Sequence, residues 1–223
     1  MTARAVVVDV EGTTTDVRFV HDTLFGIARA DLPSFVVAHA GEPEVEGARE
    51  AVAVALGVDP EEVTATALAE TLRAWIDADR KDTELKALQG RIWREGYLAG
   101  RVRGHVYRDV RPALERWRAA GAKLAVFSSG SVEAQKLLFR HSTDGDLAVL
   151  FDAHFDTRTG KKDDPRAYAA IAAALGVAPV EVLFLSDAPR EVEAATAAGM
   201  RARLVARGER RADAVSSFDE IDG

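Results

Sequence analysis

Ala5-Val6-Val7-Val8-Asp9-Val10-Glu11-Gly12-Thr13-Thr14 decides the fold. The apolar run Ala5–Val8 is long enough for one buried strand. Two carboxylates one residue apart follow it, then a glycine and two hydroxyls. An acid at the carboxyl end of a parallel strand stands where open α/β sheets put their ligands. Glu11 lies two positions on, as the chain turns away, so both acids can reach one ligand. One can act as nucleophile while the other gives and takes a proton. Asp, Gly and Thr are also ordinary turn residues, so this stretch needs support from the rest of the chain.

A chain of 223 residues suits one large domain, or a domain carrying an insertion. With 48% apolar residues and mixed charges it reads as a folded, soluble protein. A net charge of −7 argues against a nucleic-acid-binding surface but allows a small anionic substrate at a locally positive site. The absence of cysteine removes disulfides, a thiolate nucleophile and thiolate metal ligands. No stretch approaches a membrane span, and the first apolar run ends at Asp9, too early for a signal peptide. A cytoplasmic protein is the expectation.

Outward from the first strand, the pattern changes twice. Residues 1–15 read as strand and loop, and residues 16–104 as helices only. Asp59-Pro60-Glu61-Glu62 has the form of a helix start. Leu68, Leu72, Trp75 and Ile76 follow at helical spacing, and Leu85, Leu88 and Ile92 repeat it. After the glycines at 96, 100 and 104, strands and helices alternate. A helix over Arg111–Ala120 precedes the strand Leu124–Phe127. The strand Ala153–Phe155 and a helix over Pro165–Leu175 follow, then the strand Val182–Leu185, a helix over Arg190–Ala198 and the strand Ala202–Val205. This alternation predicts an α/β fold, a doubly wound parallel sheet built over 1–15 and 105–223. The helices of 16–104 form an insertion after its first strand.

Three more strand ends carry polar signals. Ser128-Ser129-Gly130-Ser131 can hold an anion on hydroxyls and backbone N–H groups, or simply cap a helix. Gly160-Lys161-Lys162-Asp163-Asp164-Pro165 offers a lysine to neutralise a phosphate or carboxylate, although surface lysines are usually solvated, and two adjacent lysines leave the choice open. Val182-Leu183-Phe184-Leu185-Ser186-Asp187, with Glu191 beyond, ends in an acid that either caps the next helix or joins Asp9 as a hard oxygen ligand suited to Mg²⁺. The five histidines, at 21, 39, 105, 141 and 154, show no pair at metal-ligand spacing.

The order acid pair, Ser, Lys, acid resembles the haloacid-dehalogenase superfamily of phosphatases over essentially the whole chain. Most members carry a second Asp where this chain has Glu11. Asp-x-Glu-Gly-Thr-Thr, Phe19-Val20-His21-Asp22-x-Leu24-Phe25, Ser128 through Phe139, and His154-Phe155-Asp156-Thr157 look like the enolase-phosphatase (acireductone synthase) family of methionine salvage. Asp16, Arg18 and Gly26-Ile27 depart from its usual pattern at the entrance to the insertion.

The resemblance implies a Rossmann-like core with an inserted helical cap, and a Mg²⁺-dependent hydrolase of phosphate monoesters. Asp9 would attack phosphorus and form an aspartyl-phosphate. Glu11 would protonate the leaving oxygen and then activate water, and, one methylene longer than Asp, it offers a base for enolisation. One Mg²⁺ would rest on Asp9, the main-chain carbonyl of Glu11 and Asp187, with Glu191 reaching it through water. Ser128 and Lys162 would hold phosphate oxygens, motif alignment favouring Lys162 over Lys161, and Ser129 would face substrate. The implied substrate is 2,3-diketo-5-methylthiopentyl-1-phosphate, enolised and then dephosphorylated by a monomer. Only 33 residues separate Ser128 from Lys162, so specificity falls to the helical insertion, in which Phe19, Trp75 and Trp93 read as core. The rival readings are a phosphatase of another small ester, a metal-free dehalogenase, and a non-catalytic scaffold on the same fold.

Overall fold

The computed structural model describes residues 3–208 and 211–222. It divides into two compact units, Met1–Phe19 with Arg103–Gly223, and Val20–Val102.

The second unit is helical. After a π-type turn over Phe19–Leu24 come α1 (Phe25–Ala38), α2 (Pro43–Leu56), α3 (Ala65–Asp77) and α4 (Thr83–Leu98). Leu68, Leu72, Trp75 and Ile76 of α3 and Leu85, Leu88 and Ile92 of α4 join one buried cluster with Leu32, Phe35 and Val36 of α1 and Val45 and Val52 of α2. The helical spacing thus marks the buried faces. Trp93 stacks on Phe25 with ring centroids 6.1 Å apart and donates from Nε1 to the Leu24 carbonyl at 2.7 Å. The helix start at Asp59 needs correction: Pro60–Glu62 makes only a 3₁₀ turn. Val63 is pulled into the core in an extended conformation, and α3 begins afterwards under Thr64, whose hydroxyl accepts from Ala67 N at 3.2 Å. Burial of one apolar side chain overrode a local capping signal.

The first unit holds six parallel strands in the order β3-β2-β1-β4-β5-β6. They are β1 (Ala5–Val8), β2 (Lys123–Phe127), β3 (Ala153–Phe155), β4 (Val182–Ser186), β5 (Arg201–Val205) and β6 (Ala214–Val215). The two-residue β6 has no counterpart in the sequence reading. Helices α5 (Val110–Ala119), α6 (Val132–Arg140), α7 (Pro165–Leu175) and α8 (Pro189–Ala197) connect and cover the strands. Alternate residues of each strand enter opposite faces. Val6, Val8, Leu124, Val126, Leu183 and Leu185 pack with Leu114 and Trp117 of α5. Ala5, Val7, Ala125, Phe127 and Phe184 pack with Tyr168 and Ile171 of α7. Both faces are covered, which is why these strands read as unbroken apolar runs.

Candidate active site

β1 lies at the centre of the sheet with β2 and β4 as its neighbours. Val8 is in register with Val126 on one side and Leu185 on the other. Ser128 and Asp187, each two residues farther along, therefore leave the sheet at the level of Val10, beside Asp9. The crevice outside these carboxyl ends is where doubly wound sheets gather ligands.

Asp9 is only 4% exposed, and its main-chain N–H donates to Leu185 O at 2.9 Å. The chain then folds back on itself: the N–H groups of Thr13, Thr14 and Thr15 all donate to Val10 O. Gly12 makes this turn at φ +73°, and a Cβ there would lie 2.1 Å from Asp187 Oδ2. Glycine thus serves both the left-handed backbone and the close approach of a carboxylate. Thr13 Oγ1 accepts from Asp187 N at 2.9 Å, tying the β1 loop to the β4 loop. Glu11 is half-buried and bridges to Thr15 across the turn.

Lys162, rather than the exposed Lys161, enters the site. Its Nζ lies 2.5 Å from Asp9 Oδ1 and 2.8 Å from Glu191 Oε2. Tyr168, packed against Phe127 and Phe184, donates from its hydroxyl to Lys162 O at 2.7 Å and so fixes the backbone behind the ammonium. Glu191 also accepts from Ser186 Oγ at 2.8 Å, so the acid expected to act through water is engaged directly with the lysine. Asp187 does not cap α8; Ala188 occupies that position and Pro189 opens the helix. Ser128 is buried and its Oγ accepts from Gly130 N at 3.0 Å, while Ser129 beside it is exposed. Ser131 caps α6 through Ala134 N at 3.2 Å.

Asp9, Lys162, Glu191 and Asp187 therefore meet, with Glu11 near enough to act on Asp187 electrostatically. Burial pushes the Asp9 carboxyl up while the Lys162 ammonium opposes it. Glu191 is raised by burial and by Asp9. Asp187 presents an exposed edge, yet its carboxyl rests against Gly12; partial desolvation, then the charges of Asp9 and Glu11, push it up to about 6. Lys162 stands between the carboxylates of Asp9 and Glu191, with Asp187 beside them, and carboxylates so grouped repel a phosphate dianion unless a cation joins them. Among the described residues no three Asp, Glu, His or Cys side chains form a complete metal cage. Two hard carboxylates at the sheet edge, supplemented by a main-chain carbonyl, nevertheless suit a small oxygen-seeking divalent cation that keeps several waters.

Spacing alone did not disclose Thr13, Tyr168 or Ser186 as partners of the site. Their contacts are set by the packing of distant segments, and Tyr168 carries no local mark within its alanine-rich helix.

The model of the haloacid dehalogenase-like hydrolases matches residues 3–199. An enolase-phosphatase E1 of Sorangium cellulosum is 62% identical, covering 98% of this chain and 97% of that protein. An enolase-phosphatase E1 of Pseudomonas aeruginosa is 48% identical, covering 99% of each. The crystal structure of the UTR4 protein of Saccharomyces cerevisiae superposes with a TM-score of 0.77 at 31% identity, over 94% of this chain and 92% of that one. This chain belongs to the haloacid dehalogenase-like hydrolases and, within them, to the enolase-phosphatase E1 family.

Proposed function

We propose that this protein is an enolase-phosphatase (acireductone synthase). It enolises 2,3-diketo-5-methylthiopentyl-1-phosphate and dephosphorylates the enol to the acireductone 1,2-dihydroxy-3-keto-5-methylthiopentene, a reaction of methionine salvage. The observation that carries the phosphoryl chemistry is Asp9, 4% exposed and held at 2.5 Å by the Lys162 ammonium. The 62% identity to an enolase-phosphatase E1 supports the choice of substrate.

In this reading an Asp9 carboxylate oxygen attacks phosphorus. The bond from phosphorus to the ester oxygen breaks, leaving an aspartyl-phosphate. Glu11 protonates the departing oxygen, then takes a proton from the water that attacks the acyl phosphate, regenerating Asp9 and releasing phosphate. Lys162 and the Ser128–Gly130 turn stabilise the phosphoryl oxygens as charge moves, and Ser129 faces substrate. Asp9, Asp187 and the main-chain carbonyl of Glu11 would hold one Mg²⁺, while Glu191 steadies Lys162. Bound Mg²⁺ would offset the repulsion between an anionic nucleophile and a dianionic ester. The helices expected over 16–104 would be the cap of this reading. The enzyme works as a cytoplasmic monomer on a small phosphorylated substrate, without nucleic acid; among the described residues no helix is long and apolar enough to cross a membrane.

The test follows enol absorbance and phosphate release in parallel during turnover of the diketo phosphate. Both signals are expected with Mg²⁺, the enol no later than phosphate, and both should vanish in EDTA. Phosphate release without acireductone, or brisk turnover only of other esters, would leave a general phosphatase.

A further inference from the structure

A guanidinium outside the reacting set grips the loop that carries Asp9. Arg207 follows β5, and its side chain is 10% exposed against 9% for Asp109, with which it pairs at 2.5 Å. Its Nε and Nη2 both donate to the main-chain carbonyl of Thr13, at 2.9 and 2.7 Å. Its Cζ lies 4.4 Å from the centroid of the Tyr107 ring and 4.6 Å from that of Phe218. Asp109 in turn accepts from Ser217 Oγ at 3.0 Å and Phe218 N at 2.5 Å. Thr13 is fully buried, and its hydroxyl is the group that receives Asp187 N–H.

A buried ion pair is weak evidence for stability, since apolar residues of similar volume often serve as well. What they cannot do is donate two N–H bonds to one carbonyl. The peptide on the N-terminal side of Thr13 is held by Val10 O, and the one on its C-terminal side by Arg207. Two aromatic rings flank the guanidinium, and Asp109 and the Ser216 carbonyl take its Nη1, so its orientation is held from several sides.

We propose that Arg207 is a positioning residue for phosphoryl transfer: by clamping Thr13 it sets the loop between Asp9 and Thr13 and, through the Thr13 hydroxyl, the place of Asp187. The proposal rests on the phosphoryl chemistry of the preceding section. It also makes the C-terminal segment around Phe218 part of the support of the active site.

Full-length wild type, Arg207→Met and Arg207→Lys would be compared in turnover of p-nitrophenyl phosphate and of the diketo phosphate. Calorimetric titration with Mg²⁺ alone and thermal melting would be run beside them. Arg207→Met should lower kcat on the order of 10²-fold with little change in KM. It should weaken Mg²⁺ binding roughly 10- to 100-fold in protein that melts as one folded species. Arg207→Lys should restore only part of both, because an ammonium lacks the planar fork. Wild-type kcat and Mg²⁺ affinity in a folded variant would overturn the proposal. So would a loss of activity that merely tracks the unfolded fraction with Mg²⁺ affinity intact. If Arg207→Met does not fold, Phe218→Leu removes one of the two rings; a weaker form of the same changes is expected, and wild-type values would overturn the idea. Failure of the functional reading looks different: wild type would then hydrolyse the nitrophenyl ester but not the diketone, or Asp9→Asn would keep full activity. The Mg²⁺ titration of Arg207→Met reads the clamp in either event.

Discussion

Lys162 places one positive charge between Asp9, at 2.5 Å, and Glu191, at 2.8 Å, two carboxylates that would otherwise repel each other in a buried site. Its ammonium and its neighbours are therefore interdependent, and substitutions here act on chemistry before stability. Asp9→Asn keeps the shape but removes the nucleophilic charge, so phosphate release should fall by roughly 10⁴-fold or more while the far-ultraviolet spectrum stays native. Substantial turnover by the Asp9→Asn variant would remove Asp9 from the mechanism. Gly12→Ala tests the turn. Its left-handed backbone costs a side chain roughly 1–2 kcal/mol, and the added methyl meets the Asp187 carboxylate, 2.1 Å from the new Cβ. Lower stability in urea and a higher Mg²⁺ requirement are both expected; an unchanged Mg²⁺ requirement would show that Asp187 moves aside without consequence. At this scale Asp9 was legible because an acid ended an apolar strand. Lys162 could not be told from Lys161 by residue type, since only the course of the loop before α7 turns one inward and leaves the other in solvent.

At the scale of elements, α6 and β3 build the wall behind Ser128 through one side chain. Gln135 is buried; its Nε2 donates to Gly130 O at 2.9 Å and Phe155 O at 2.8 Å, while its Oε1 accepts from His154 Nδ1 at 3.2 Å. Desolvation, with the Lys136 charge adding to it, lowers the His154 pKa from 6.5 to about 4. The unfolded chain then binds this proton more readily than the folded one. The stability linked to neutral His154 is full above pH 6.5 and is lost as pH falls from there to about 4. Urea unfolding of wild type at pH 4.5 and pH 7 should show this loss, and His154→Asn should shrink the difference; an identical difference would place the acid sensitivity elsewhere. Strands β1 to β5, helices α5, α7 and α8, and the buried faces of α3 and α4 were readable from period and punctuation, while α1, α2, α6 and β6 were not placed. Nor was the start of α3, because burial of Val63 competes with the Asp59 cap and wins.

For the whole molecule, the two units have separate apolar cores: one cluster fills the helical unit, and two clusters cover the faces of the sheet. Leu72, fully buried in the helical unit, should cost about 2–5 kcal/mol when cut to Ala, measured by urea unfolding. A cost well under 1 kcal/mol would mean that this unit is loosely packed. The fold class and the order of acid, hydroxyl, lysine and acid along the chain were determined by the sequence itself, because strand runs and turn residues are local signals. Tertiary structure alone decided that β1 lies between β2 and β4, which brings residues more than a hundred positions apart to one sheet edge. It also decided that Glu191 binds Lys162 and that Arg207 closes on Thr13, whereas motif resemblance had already favoured Lys162 over Lys161. Those contacts depend on side chains converging from several segments, and no window along the chain contains them.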